Sequence, residues 1–437
     1  MLRLPLIVCL FLLSSGVWAQ KLTLADLTDR ALTHNLDVRS IQLEREITDA
    51  RIKEVRSSAL PQVNFAGDYK YYLKIPAQVI PLSAFGGPEG SYSAAAFGLP
   101  WNLGSTVQAN QILYNPSLMI GLKAAKVGRE VADLQIRRTR EDIAYNVGAT
   151  YFNAQTVAQQ VQFLEGNIKA LDRSIQITDL QFQQQMAKGI DVDRLRLNKV
   201  SMQTQIESLK ADHARMLNML KFLAGIPQTE TIEIEQRIEE TAIVVPTAEE
   251  SGLNRTELLL LDRQQVANTL EQRNIKAGFL PTVSAYGVAN HSVFAIGGNE
   301  SYIKGIPAYW LGLQVNWSIF DGFTRRNKLA QKQLEGQQLS LDLQKTKESI
   351  SMDISNARTQ MTVQQQNLKT SDEQVRLAQK VYEQTQLQFK EGTIDISNLI
   401  QTENSLREAQ NNYLSSLVKL RTAELDWRKA TGNLITK

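Results

Sequence analysis

The sequence predicts an α+β chain that is mostly helical and internally duplicated. Three observations carry that expectation: a pair of short alternating segments occurs twice, each pair is followed by a very long helical pattern, and each long pattern breaks near a glycine and returns. With 437 residues, 43% hydrophobic and 21% charged, the chain lies in the globular range and is not disordered.

The elements follow in order. Residues 1–19 read as a signal peptide: Arg3 gives a positive start, Leu4 to Trp18 is nearly all apolar, and Val17-Trp18-Ala19 ends in a small residue, so the mature chain is expected to begin at Gln20. Cys9 is the single cysteine and leaves with that segment, which removes disulfides and thiolate metal sites. No later stretch reaches the roughly 18 to 20 continuous apolar residues of a membrane-spanning helix.

The repeat comes next. Ala59-Leu60-Pro61-Gln62-Val63 is echoed by Phe279-Leu280-Pro281-Thr282-Val283, and Gly67 falls on Gly287 under the same shift. Ile112 to Pro116 recurs loosely as Ser318 to Gly322. The helical stretches break near Gly189-Ile190-Asp191 and Gly392-Thr393-Ile394-Asp395, and the copies stop at Ala224-Gly225 and Thr431-Gly432. Each copy reads helix, strand, loop, strand, long helix, turn, helix.

In the long helices, Ile143, Val147, Ala154, Val161, Leu164, Leu171 and Thr178 belong to a seam that advances by fours and threes. Ile350, Ala357, Met361, Leu368, Val375, Tyr382 and Phe389 belong to its counterpart. A 3.5-residue repeat imposes left-handed supercoiling on neighbouring helices. Segments from about Leu118 to Met186 and from Phe323 to Phe389 would each be on the order of 100 Å long. Taken alone, they equally suit a coiled-coil rod.

In the strands, Leu311, Leu313, Val315, Trp317 and Ile319 share one face, with small or polar groups between them. Val63, Phe65, Tyr69 and Tyr71 alternate with Asn64, Ala66, Asp68 and Lys70 in the same way. Such segments suit a membrane β-barrel, with those five residues of the later strand facing lipid, and they also suit a soluble half-buried sheet. The export signal and the missing thiols favour the barrel. Four strands cannot close one, so several chains must contribute.

Function classes narrow by exclusion. The net charge is +3 with basic and acidic residues interspersed, so nucleic acid is not indicated as a partner. His34, His213 and His291 are far apart in sequence, and no metalloprotease, serine-hydrolase or phosphate-loop motif occurs. No enzyme activity, cofactor or metal is expected.

Together, the duplicated unit, the two Leu-Pro strand openings, Ile319-Phe320-Asp321-Gly322 before the second long helix and the glycine-then-aspartate breaks resemble the TolC-like outer-membrane efflux proteins, from about Leu22 to Gly432. The resemblance implies a homotrimer in which three chains build one twelve-stranded barrel in outer-membrane lipid, continued by a periplasmic tunnel of helices. It implies a passive exit duct for efflux or type I secretion, docked to a periplasmic adaptor and an inner-membrane transporter. The expected organisation is a first repeat over 20–225 (strand pair about 61–114, hairpin about 118–223), an equatorial connector over 226–251, and a second repeat over 252–437 (strand pair about 281–320, hairpin about 323–431). The loops about Ile75 to Leu103 and Gly297 to Gly305 would face the cell surface. A periplasmic coiled-coil adaptor or structural protein is the alternative, although an adaptor would carry one hairpin rather than two.

By the same resemblance, Asp191 and Asp395 lie at the pore entrance, and Gly189, Gly392 and Thr393 form the turns that meet the adaptor. Some members carry an arginine shortly after the second glycine and a second aspartate beyond the first. Here no arginine lies between Gly392 and Asp395, and the later position is Asn398. Both aspartates could equally cap the returning helix. The glycines and the apolar seams align between copies with offsets that differ by about one helical turn, which predicts a stutter in one coil.

Overall fold

The computed structural model describes residues 21–236, 238, 252–295 and 302–435. The signal segment, most of the 226–251 connector and the centre of the second inter-strand loop lie outside the described residues. The chain divides into two compact units. A helical unit takes Met1–Leu43, Leu134–Leu260 and Gln344–Lys437; a strand unit takes Glu44–Asp133 and Leu261–Leu343.

The first copy opens with α1 (Leu24–His34) and α2 (Leu36–Ser57) rather than one helix. Thr23 and Asp26 form a reciprocal capping box at the start of α1. Asn35 makes the break: its amide donates to the Leu223 carbonyl at 2.8 Å, and its oxygen accepts the Asp37 N–H at 2.7 Å. In the second copy a single helix, α5 (Thr256–Ala277), takes this place.

The strand unit contains β1 (Gln62–Tyr71), β4 (Trp101–Tyr114), β5 (Thr282–Ala295) and β6 (Tyr302–Asn316) in one antiparallel sheet of order β1-β4-β5-β6. The first inter-strand loop is more ordered than the sequence suggests: β2 (Ala77–Pro81) pairs with β3 (Tyr92–Ala96) around a single helical turn at Leu82–Phe85. The second strand pair is shorter than expected. Because β6 ends at Asn316, Trp317 and Ile319 follow the strand instead of extending it. Trp317 is instead tied back through its indole N–H to the Phe279 carbonyl at 3.1 Å.

The long helices are α3 (Pro116–Gln183) and α6 (Thr324–Lys390), returning as α4 (Gly189–Leu223) and α7 (Ile396–Thr431). In the helical unit, Leu164 and Leu171 of α3 pack with Leu195 and Met202 of α4, Tyr382 and Phe389 of α6, and Leu399 and Leu406 of α7. The expected seam is buried along the helices: Val147, Ala154, Leu171, Thr178 and Met361 are at most 1% exposed. Phe182, at the end of the first seam, is exposed. A second core joins Leu27 and Ala31 of α1 to Val147, Leu220 and Ile226, and Leu22 bridges Ile234, so the described start of the connector docks on the N-terminal residues.

Candidate functional site

The sheet separates its side chains by chemistry. Directly paired residues of adjacent strands share a face. Val63, Ala109, Gly287 and Leu311 form one such row, and Phe65, Val107, Ala289 and Tyr309 the next. Leu313 and Val315 continue this apolar face, and Leu311 is 90% exposed. On the other face Asn290 donates to Thr106 at 2.8 Å, Ser292 to Asn290 at 3.0 Å and Gln108 to Asn110 at 3.0 Å, a polar ladder beside Val288 and Trp310, which share that face. Strands β1 and β6 are the sheet's edges.

The hairpin turns depart from the sequence expectation. In the second, the Gly392 N–H reaches the Phe389 carbonyl and the Thr393 N–H the Gln388 carbonyl, both at 3.0 Å, the paired bonds of a Schellman stop. Gly392 has φ +72°, which its missing Cβ permits. In the first, the residue with positive φ is Gln185 (+63°), and Gln185 and Met186 make the same bonds to Phe182 and Gln181. Gly189 is therefore not the turn residue; it is the first residue of α4.

One offset relates both copies through these turns. It carries Ile143 to Ile350, Phe182 to Phe389, Gln185 to Gly392 and Gly225 to Gly432. No stutter is present, because the glycine pair Gly189 and Gly392 is not an equivalent pair. Under the shared offset Lys188 matches Asp395, and these are the two N-caps. Asp191 matches Asn398. Asp395 accepts the Asn398 N–H at 3.0 Å, whereas Lys188 makes no side-chain cap bond. Asp191 caps nothing: it lies in the first turn of α4, with Arg194 at 3.9 Å.

Sequence reasoning missed Glu403. It is 3% exposed among the apolar groups of α7, and Asn198 of α4 donates to its Oε2 at 2.6 Å. Its Oε1 has no hydrogen-bond partner among the described residues. Burial pushes its pKa up to about 7 against the opposing pull of Arg407 and the Asn198 bond. Burial, and then the charge of Glu403, push the Tyr382 hydroxyl up to about 12. The sequence held a signal: Glu403 falls four residues after Leu399 and three before Leu406, in the apolar stripe. Among the described residues no cluster of histidine, cysteine and acidic side chains could hold a metal.

A duplicated strand-pair and helical-hairpin chain, with a sheet split into apolar and polar faces, is the architecture of an outer-membrane channel subunit. The model of the outer membrane efflux protein family matches residues 27–226 and 253–433, and the chain belongs to that family. It is thus an efflux channel protein, not an enzyme. It is similar to the outer membrane protein TolC of Vibrio cholerae, with 21% identity over 99% of this chain and 95% of that one. Among solved structures, CusC superposes with a TM-score of 0.76 at 15% identity, covering 93% of this chain and 91% of that chain. The Campylobacter jejuni CmeC outer membrane channel gives 0.74 at 16% identity, covering 94% and 85%.

Proposed function

We propose that three copies of this chain close one membrane barrel and form a passive exit duct, which continues into the periplasm and docks there to an adaptor and an inner-membrane transporter. The carrying observation is the register of the open sheet, which gathers the rows of Val63 and Phe65 with Leu313 and Val315 on one face while leaving β1 and β6 without outer neighbours. Unpaired strand edges cannot face hydrocarbon, because their N–H and C=O groups find no water there. Pairing β6 of one copy with β1 of the next removes every edge. Leu311, Leu313 and Val315 then meet lipid, Trp317 and Ile319 lie at its margin, and the polar ladder lines the lumen.

In this assembly the turns carrying Gly392, Thr393 and Gln185 meet the adaptor, with Gly189 behind the first. Asp395, Asp191 and Asn398 ring the entrance, and Asp395 keeps one carboxylate oxygen outside its capping bond. The test is a paired substitution. An arginine near mid-membrane on a lipid face costs about 2 to 4 kcal/mol, and much less on a lumen face. Val315→Arg is expected to cut the yield of outer-membrane trimer severely while Gln314→Arg leaves it intact. Equal yields would refute the orientation of β6.

A further inference from the structure

The strand ends that lead to helices all lie at one end of the sheet. Gln62 pairs with Asn110, Ile112 with Ser284, and Thr282 with Asn316, so the register brings four strand-to-helix junctions together. The twelve residues beyond each of these strand ends hold ten basic and three acidic side chains in total, a surplus of seven in a chain whose whole net charge is +3. The rest of the chain is therefore net acidic.

Two exposed cations without an ion pair among the described residues stand at each junction. In the first copy they are Lys53 and Arg56 at the end of α2 and Lys123 and Lys126 in the opening turns of α3. In the second they are Arg273 and Lys276 at the end of α5 and Arg326 and Lys328 at the start of α6. Farther from the sheet the pattern changes to paired charges: Arg129 with Asp49, Arg45 with Asp133, and Lys332 with Glu271 and Glu335. Arg326, in the first turn of α6, opposes the helix dipole, and neither α3 nor α6 has an acid within its own first turn. Asp321, the acid nearest the start of α6, is already taken up by Arg325, and none of the eight cations has an ion pair among the described residues.

The neighbouring surface identifies the anion. Between the sheet and these cations, Leu60, Phe279, Leu280, Trp317, Phe320 and Phe323 are exposed. Moving from the sheet into the helices, the surface passes from apolar to aromatic to cationic. That succession matches hydrocarbon, interface and headgroup layers, where amphipathic rings sit at the boundary and basic residues meet anionic headgroups. An acidic protein partner would explain the cations alone, and would leave the aromatic shoulder and the apolar face beside them without a role.

We infer that the four strand-to-helix junctions form a basic collar that binds the anionic phospholipid headgroups of the leaflet on the helical side of the barrel. This rests on the membrane reading given above. A basic residue near an anionic surface strengthens binding about five-fold, and salt weakens the effect.

The experiment mixes the full-length protein in detergent with phosphatidylcholine vesicles prepared with or without phosphatidylglycerol, dilutes the detergent, and measures the protein that floats with the lipid. Phosphatidylglycerol is expected to raise the floated fraction at low salt and to lose that effect at high salt. The variant Lys53→Glu/Arg56→Glu/Lys276→Glu/Lys328→Glu should lose the increment by at least ten-fold and match wild type on phosphatidylcholine alone. A second variant, Lys123→Glu/Lys126→Glu, should lose part of it, and Lys53→Arg/Lys276→Arg/Lys328→Arg should keep it. A wild type indifferent to phosphatidylglycerol, or a charge-reversed variant with the full increment, overturns the collar. Protein that floats with neither vesicle would instead overturn the membrane reading beneath it.

Discussion

The two hairpin turns share one backbone and differ in chemistry. Gln185 and Gly392 hold the same left-handed position, and Lys188 and Asp395 the same N-cap, yet only the second turn has residues suited to either task. A non-glycine residue in this conformation costs about 1 to 2 kcal/mol, and a missing cap about another 1. The first turn must therefore be held by the packing of α3 and α4 rather than by its own residues. The same contrast continues along the returning helices. Lys199, half-buried and paired with Asp172 at 2.6 Å, matches the 1% exposed Leu406; Arg196, exposed beside Asp179, matches the buried Glu403. Duplication preserved the path of the chain and let the side chains of the two hairpins diverge.

The largest effect that tests this contrast is in the core. Leu406→Ala should destabilise the helical unit by about 3 to 5 kcal/mol, because it empties space between four packed helices. Lys199→Ala, at the matching position, should cost less than about 1 kcal/mol, since it loses only a partly exposed ion pair. Denaturant unfolding of the two variants measures the difference; equal losses would mean that the copies are not divergent at this level.

A smaller effect, dependent on pH, belongs to the second hairpin alone. The folded pKa of Glu403, about 7, lies above the unfolded value of 4.5, so the native state holds the proton more tightly. The sign follows: stability is greatest while Glu403 is protonated and falls as pH rises from the unfolded value through 7. The loss by pH 8 is about 3 kcal/mol. Glu403→Gln keeps an acceptor for Asn198 and removes the charge, so it should match wild type near the acid end of this window and exceed it by about that amount at pH 8. Unfolding midpoints across the window for both proteins test this, and parallel curves would show that the carboxyl is not desolvated.

The smallest effects lie in the turns themselves. Gln185→Gly should stabilise by about 1 kcal/mol by relieving the left-handed residue, and Gly392→Ala should destabilise by a similar amount. Asp395→Ala should cost about 0.5 to 2 kcal/mol through the lost cap, whereas Lys188→Ala should be near neutral. Thermal melts of these four variants would sharpen the contrast, and a cost for Lys188→Ala equal to that for Asp395→Ala would erase it.

Much of the fold follows from covalent spacing, and that part is legible in the sequence. Helical geometry places Ile143, Val147 and Ala154 on one stripe, and strand geometry places Leu311, Leu313 and Val315 on one face, whatever surrounds them. The duplication and the family resemblance stand on such local patterns. Tertiary structure decided the rest, because burial and cross-strand neighbours depend on residues far away in the chain. The packed helices drive Gln185 into a conformation that its identity disfavours, which is why the glycines misaligned the two copies. They also hold Glu403 away from water against its own solvation, and the register of four strands gathers scattered cations into one collar.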